Sequence, residues 1–191
     1  MPAEPSYVPK MSPPPLMTTD ELLHLSLPDK RSELVRGELV AREPAGSLHG
    51  LVAAKIALAL GVFAKETDAG GVFAAETGFH LASNPDTVRA PDVAFVSRER
   101  MAAAQTAGYA ALAPDLVVGV LSPGDRAGEV LAKVADWLSA GTRLVWVVDP
   151  ERRVARVYRG DGTEAEVRQG EALDGEEVLR GFTCGLAAVL R

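Results

Sequence analysis

One apolar run constrains the fold of this chain more than any other stretch. Residues Leu116 to Leu121 read Leu-Val-Val-Gly-Val-Leu and lie between Pro114 and Pro123. A run of this length between two prolines predicts a strand that is covered on both faces. Its glycine, Gly119, is unexpected, because a glycine inside a buried strand weakens the strand and leaves side-chain space unfilled.

A helix is predicted directly after this strand. The turn at Gly124–Gly128 precedes it, and Asp125 is a candidate N-cap. Its apolar stripe comprises Val130, Leu131, Val134, Trp137 and Leu138. This stripe predicts that the helix packs back onto the sheet. Lys133 lies beside the stripe, where a long side chain can extend past a packed edge. An ion pair with Glu129, four residues earlier, is the simpler explanation for Lys133.

The other segments alternate between helix and strand patterns. Thr18 and Glu21 have the spacing of a capping box ahead of a short helix. A hairpin is predicted at 32–40, and Ser47 is a candidate cap for a long helix. Further strands are predicted at 72–81, 93–96, 144–148, 154–158 and 164–168, with a short one within 178–190. This order favours an α/β fold with one mixed sheet flanked by helices. The strands between 154 and 168 could instead form a second small sheet or a dimer edge.

Length and composition favour one soluble domain. The chain has 191 residues and a formal net charge of -6. We expect a flexible proline-rich arm at 1–17 and a single domain at 18–191. The single cysteine, Cys184, excludes an internal disulfide. The sequence shows no secretory pattern and no apolar run of membrane-spanning length, which predicts a cytoplasmic protein without a membrane partner. The acidic balance argues against strong non-specific binding to nucleic acid but allows a local basic cleft.

Three carboxylates and one histidine are candidates for chemistry. Asp92 follows Pro91 at the start of an apolar strand, where it could bind a hard cation or simply cap local amides. Glu33 and Glu38 lie on the early hairpin, where each could equally be a solvated strand residue. His49, in the first turn of the long helix, could be a donor or a base, or a packed core residue. No catalytic triad order, phosphate-binding loop or metal-spaced histidine pair accompanies them.

Several stretches in this order and spacing resemble a known family. They are Glu33-Leu-Val-Arg-Gly-Glu38-Leu39, His49, Thr87-Val-Arg-Ala-Pro91-Asp92-Val93, Pro114-Asp115-Leu-Val-Val, Leu121-Ser122-Pro123, Lys133, and Gly141 through Trp146-Val-Val-Asp149-Pro150. Together they resemble the Uma2 family of bacterial restriction endonuclease-like proteins, over roughly residues 18–158. The resemblance implies the PD-(D/E)xK nuclease fold, a mixed sheet flanked by helices.

The resemblance also assigns roles to particular positions. Asp92 would be the first metal carboxylate, and the backbone carbonyl of Val120 would complete the site. The family's second carboxylate falls at Gly119. Its lysine has moved from the strand to the next helix, where Lys133 matches it. Glu33 matches an acidic residue at the edge of the site.

Three further residues accompany this implied site. His49 matches a nearby polar position of the family, and Glu38 is a candidate accessory residue. Glu76, on a predicted neighbouring strand, is a candidate substitute for the missing metal ligand. A complete site of this kind would hold Mg²⁺ or Mn²⁺ and hydrolyse a phosphodiester, with Lys133 orienting the nucleophile.

The functional expectation therefore has two forms. The first is a metal-dependent endonuclease whose metal site is impaired or rebuilt, with DNA as substrate and a homodimer as the active assembly. The second is an inactive relative that binds nucleic acid or protein, and Gly119 together with the acidic balance favours it. A hydrolase of smaller phosphodiesters or nucleotides is a third alternative.

Overall fold

The computed structural model describes residues 15–28, 30–74 and 77–191. The helices are α1 (Thr19–His24), α2 (Ser47–Thr67), α3 (Met101–Ala104), α4 (Ala127–Ser139) and α5 (Leu186–Val189), with a 3-10 turn at Arg98–Arg100. The first six strands are β1 (Arg31–Val35), β2 (Glu38–Arg42), β3 (Gly70–Ala74), β4 (Phe79–Ala82), β5 (Thr87–Arg89) and β6 (Val93–Ser97). The others are β7 (Leu116–Val120), β8 (Leu144–Asp149), β9 (Val154–Arg159), β10 (Glu164–Arg168), β11 (Ala172–Asp174) and β12 (Thr183–Gly185).

The strands form three sheets, so the expected α/β class is confirmed but the single sheet is not. The main sheet has the order β10-β9-β8-β7-β6-β3, in which β7 and β8 are parallel. A second sheet has the order β2-β1-β5-β4, and β11 pairs with β12. The chain passes from the second sheet to the main sheet between Arg89 and Val93. Pro91 lies at this crossing and has no N–H to continue a ladder, which explains why one sheet ends there.

The C-terminal strands β9 and β10 extend the main sheet and do not form a second small sheet, which corrects one of the expected alternatives. Strand β9 pairs with β8 along its whole length, and β10 pairs with β9. Buried residues on β9, Ala155 and Val157, join the core beneath the sheet. Continuous apolar contact with β8 therefore favours extension of the sheet over a separate layer.

Strand β7 is covered on both faces, as its apolar run predicts. Leu116, Val118 and Val120 pack in the core cluster that also contains α2 residues. Val117 points to the other cluster, which contains Val134 and Trp137 of α4. Alternation along the strand places Gly119 on the Val117 side. A Cβ added at Gly119 would meet no atom within 4 Å, so open space lies between this part of β7 and α4.

Two predicted helix caps are wrong. Helix α4 begins at Ala127, and Arg126 is its N-cap without a side-chain bond. The Asp125 carboxylate instead accepts a hydrogen bond from the Ser122 amide at 2.8 Å. It closes the preceding turn, which is the competing use of an aspartate near a helix start. Ser47 is already helical, with Gly46 at the N-cap of α2. The capping box of Thr18 and Glu21, by contrast, is confirmed.

The strand predicted at 72–81 is divided between two strands, whereas the short strand predicted within 178–190 is confirmed. The segment 72–81 contributes to two strands, β3 and β4, which belong to different sheets. The segment 178–190 contains β12 and the short helix α5. An apolar run does not show where a ladder changes partner, because pairing is decided by neighbouring strands.

Helix α2 contradicts the prediction that the chain has no apolar segment of membrane-spanning length. It is long enough and hydrophobic enough to cross a membrane by length and composition alone. Core helices of folded domains meet the same test, and Val52, Ile56 and Leu60 of α2 are buried against the main sheet. The expectation that no apolar segment reaches spanning length is therefore wrong, although α2 packs as a core helix.

Candidate active site

A cavity of about 500 Å³ opens where β1, the end of β7 and α4 meet the first turn of α2. Six of the expected site residues line it together: Glu33, His49, Asp92, Gly119, Val120 and Lys133. They come from four elements and one loop that are far apart in the chain. The fold therefore brings most of the expected site residues to one place.

Asp92 is held in the loop between β5 and β6 by three neighbours. Its Oδ2 accepts a hydrogen bond from the Val120 amide at 2.7 Å and lies 3.2 Å from His49 Nε2. Its Oδ1 lies 3.3 Å from a terminal nitrogen of Arg31. Burial raises the pKa of Asp92, but the His49 contact and the Val120 amide outweigh it, so the pKa lies below its ordinary value. Asp92 is therefore an ionised carboxylate in a fixed orientation.

Val120 lies directly beside this carboxylate. Its amide donates to Asp92, and the N–H and C=O of one residue in an extended strand point to the same side. The Val120 carbonyl accordingly lies on the Asp92 side of β7. Its position is compatible with the ligand role that the resemblance implies.

Glu33 lies near the middle of β1 and is almost fully buried among donors. It accepts hydrogen bonds from Lys133 Nζ at 2.8 Å, from Arg89 at 3.0 Å and from the Ala90 amide at 2.8 Å. Burial raises the pKa of Glu33, but the charges of Lys133 and Arg89 lower it below its ordinary value. Both carboxylate oxygens are therefore engaged.

Lys133 reaches across from α4 to this carboxylate. Its ammonium also donates to the Ala90 carbonyl at 3.2 Å, and about one third of its side chain remains exposed. The simpler explanation of a helical ion pair with Glu129 is wrong, because Glu129 contacts Arg42 at 3.1 Å instead. Lys133 thus faces the cavity with its charge partly available.

Sequence reasoning missed three charged residues that organise the site. Arg89, on β5, bonds Glu33 and also donates to Asp136 of α4, with its Nε 2.9 Å from that carboxylate. Arg31 contacts Asp92, as described above. A buried arginine inside an apolar strand is a recognisable signal, because such a charge needs a partner. Its partners, one on β1 and one on α4, are visible only after folding.

One expected site residue is not brought to the cavity, and another is not described. Glu38 is exposed at the start of β2, opposite Val35 in the hairpin, and does not line the cavity. Glu76, the candidate substitute ligand, lies outside the described residues.

Comparison with known proteins identifies the family. A family model named Uma2 and described as "Putative restriction endonuclease" matches residues 19–188. The chain belongs to the Uma2 family. Its fold resembles a crystal structure described as "a putative nuclease belonging to DUF820" from Anabaena variabilis ATCC 29413. The TM-score is 0.77 at 19% identity, covering 91% of this chain and 97% of that one. The match supports a restriction endonuclease-like fold. A comparison with curated proteins found no match.

Restriction endonuclease-like families generally use divalent metal ions, but the side chains of this Uma2 protein do not fit a complete site. Within residues 15–28, 30–74 and 77–191, no group of three or more His, Cys, Asp or Glu side chains could hold a metal ion. Glu33 is occupied by Lys133 and Arg89, and Gly119 supplies no ligand. Asp92 and the Val120 carbonyl remain, so the second carboxylate that the resemblance implies is missing. The one carboxylate left is the minimum for a usual Mg²⁺ site, and Arg31 already contacts it.

Proposed function

We propose that this Uma2 protein binds a nucleic-acid phosphodiester in the cavity beside Asp92 and Lys133 and that its metal-dependent cleavage is impaired. Gly119 carries the proposal. It stands where the resemblance places a carboxylate, and open space surrounds the position that its missing Cβ would take. The protein therefore lacks the second metal-binding carboxylate, but the space for a side chain at position 119 is still open.

The charges around the cavity support binding. Lys133 presents a partly exposed ammonium, and Arg31, which contacts Asp92, has about 30% of its side chain exposed. Both can meet phosphate oxygens, since ammonium and guanidinium groups form charge-assisted hydrogen bonds with them. DNA is the proposed ligand, with moderate rather than tight binding, because the same cavity is also lined by the carboxylates Glu33, Glu43, Asp92, Asp125 and Glu129.

Residual cleavage is the second candidate function. It is supported by the joint placement of Asp92, Lys133 and Glu33 in one cavity. In that case Mg²⁺ or Mn²⁺ would supply Lewis-acid chemistry at the phosphate, and the site would need a replacement ligand. Lys133 would orient the attacking water, and Glu33 would hold Lys133 in place.

A nuclease assay on plasmid DNA separates the two candidates. Wild type, Gly119→Glu, Asp92→Ala and Lys133→Ala are compared in Mg²⁺, in Mn²⁺ and in EDTA. We expect little cleavage by wild type and metal-dependent cleavage by Gly119→Glu at least about tenfold faster, because an added carboxylate at about 4 Å would strongly favour the cation.

Gly170→Glu is the matched control for this assay. Gly170 lies in an exposed turn after β10, and a Cβ there also meets no atom within 4 Å. It adds the same charge away from the cavity and should leave cleavage unchanged. Wild-type cleavage that disappears in Lys133→Ala would instead favour the rebuilt site. If neither wild type nor Gly119→Glu binds or cleaves DNA, the proposal is contradicted and a protein-binding role remains.

A homodimer is a further part of the proposal. The support is a set of exposed apolar residues on α2 whose spacings of three, seven and four residues place them on one face of the helix. It comprises Leu48, Leu51, Leu58 and Val62. Strand β10 is less suited as a dimer contact, because the charged side chains along this edge strand disfavour pairing with a strand of a second copy. We expect a dimer mass by light scattering for wild type and a monomer for Leu58→Glu. A wild-type monomer would refute this part.

The expected cytoplasmic location also remains a proposal. Cell fractionation with detection of the tagged full chain tests it, and recovery with the membranes would contradict it.

A further inference from the structure

We infer that Arg31 takes the place of a divalent cation beside Asp92, so that the cavity binds phosphate groups without a metal. This inference rests on the proposed function, because it explains how the same cavity would hold its ligand. It is specific to this chain, because it depends on two of its features: Arg31 contacts Asp92, and the same cavity has Gly119 in place of a carboxylate.

The contacts of Asp92 place Arg31 where a cation would be expected. The two oxygens of the carboxylate have different neighbours. Oδ2 faces the Val120 amide and His49, whereas Oδ1 faces the guanidinium of Arg31 at 3.3 Å. Arg31 is the first residue of β1, and the β1–β5 pairing holds that strand beside the loop that carries Asp92.

The charges explain why a guanidinium suits this site better than a metal. Two carboxylates balance one divalent cation. With Gly119, Asp92 is the one carboxylate left at the metal position that the resemblance implies, and one monovalent guanidinium balances it. A metal arriving at Asp92 would also be repelled by Arg31 and Lys133, both of which line the cavity.

One buried nitrogen atom of Arg31 has no partner. Among the described residues, Arg31 Nε is buried and makes no hydrogen bond, and Arg31 lines the cavity. Buried polar atoms in folded proteins are nearly always paired, so this donor indicates a partner from outside the chain. A guanidinium matches phosphate oxygens in geometry and charge.

The size of the cavity agrees with a ligand of this class. A volume of about 500 Å³ falls within the range of small-molecule sites and can hold a phosphate with part of its nucleoside. Arg31 and Lys133 flank Asp92 from β1 and α4. A phosphate between them would contact both cations while Asp92 keeps the guanidinium oriented.

The first arm of the test measures metal affinity. Mn²⁺ is titrated calorimetrically into three full-length variants: Gly119→Glu, Arg31→Ala/Gly119→Glu and Arg180→Ala/Gly119→Glu. Arg180 is an exposed arginine outside the cavity and provides the matched loss of charge. We expect Mn²⁺ to bind at least about tenfold more tightly when Arg31 is removed, and Arg180 to have no effect. Equal Mn²⁺ affinities with and without Arg31 would overturn the inference.

The second arm measures phosphate binding in EDTA. Fluorescence anisotropy follows a labelled DNA duplex on wild type, Arg31→Ala and Arg180→Ala, with inorganic phosphate as competitor. We expect wild type to bind equally well in EDTA and in Mg²⁺, and Arg31→Ala to lose about tenfold, the effect of one charged hydrogen-bonding group. Displacement by millimolar inorganic phosphate would show that a free phosphate group suffices, and its failure would assign binding to the diester.

The two arms distinguish this inference from the proposed function. DNA binding that requires Mg²⁺ and survives Arg31→Ala would refute the inference and leave the function intact. A wild type that binds no DNA in either buffer would refute the proposed function. It would also refute the part of the inference that concerns phosphate binding. The Mn²⁺ titrations would then still decide whether Arg31 holds the cation's place.

Discussion

At the scale of single residues, the site is a balanced set of buried charges. Arg89 is at its centre, because it joins Glu33 on β1 to Asp136 on α4. Arg89 and Glu33 are each 7% exposed at the side chain, so neither can turn to water if its partner is lost. Lys133 depends on this arrangement, since Glu33 positions its ammonium at the cavity.

We predict that Arg89→Ala lowers the free energy of unfolding by about 3–5 kcal/mol, because it removes the buried guanidinium that pairs with both Glu33 and Asp136. Urea denaturation of wild type and variant measures the difference. Arg168→Ala is the matched control, because that arginine is exposed on β10 and should change stability by less than about 0.5 kcal/mol. A loss below about 1 kcal/mol for Arg89→Ala would show that the network is not structural.

At the scale of elements, helix α4 connects the core to the cavity. Trp137 is 1% exposed and lies edge-to-face with Phe79, with ring centroids 6.3 Å apart. Leu131, which the apolar stripe also included, is 51% exposed. The stripe was therefore too wide by one residue, because periodicity alone does not show where the covered face ends.

This difference within one helix gives a second prediction. Trp137→Ala should destabilise the protein by about 3–5 kcal/mol, through lost contacts and the cavity left behind. Leu131→Ala, in the same helix, should cost less than about 1 kcal/mol, because its side chain is already half exposed. Denaturation curves of the two variants test both values. Similar losses at the two positions would mean that α4 is covered by a partner on its outer face.

The loop that carries Asp92 shows how elements create the site. Strand β5 ends at Arg89 in one sheet and β6 begins at Val93 in the other. The residues between them leave both ladders, so the Asp92 side chain is directed to the gap where β1, β7 and α4 meet. Pro91 enforces the break, because it cannot donate to either ladder.

At the scale of the whole molecule, paired carboxylates make the fold sensitive to acid. Asp115 joins the start of β7 to distant parts of the chain: it accepts from the Ser97 amide at 2.8 Å and contacts Arg100 and Arg143 at 2.9 and 3.1 Å. Burial raises the pKa of Asp115, but these three donors outweigh burial and lower it below the ordinary value of 3.8. The unfolded chain therefore binds a proton at Asp115 before the native protein does.

The lowered pKa of Asp115 gives a third prediction. The stabilisation by Asp115 is fully present above the unfolded pKa, near 3.8, and is lost as the pH falls through the lower folded pKa. We expect Asp115→Asn to cost about 1–3 kcal/mol at neutral pH, from weakened bonds to charged donors. The difference between variant and wild type should narrow below pH about 3.8. Denaturation at a series of pH values measures it, and a constant difference would contradict the assignment.

Much of the fold could be predicted because it depends on local pattern. The capping box at Thr18, the hairpin at 32–40 and the buried strand β7 each follow from residue type and spacing over a few positions. The caps at Asp125 and Ser47 could not be predicted, because an aspartate can close a turn instead of beginning a helix, and a serine can occupy the first helical position as well as the cap. The division into three sheets also escaped prediction, since a strand's partner depends on the rest of the chain.

For the site, the sequence by itself determined the residue types: an aspartate after a proline, a lysine on the helix after β7, and a glycine where the family resemblance places a carboxylate. Only the tertiary structure decided what surrounds them. It placed Arg31 against Asp92, joined Glu33 to Lys133 and Arg89, and left open space at Gly119. The physical reason is that a charge takes its partner from whatever lies within a few ångströms, and that neighbourhood is set by packing of elements distant in the chain.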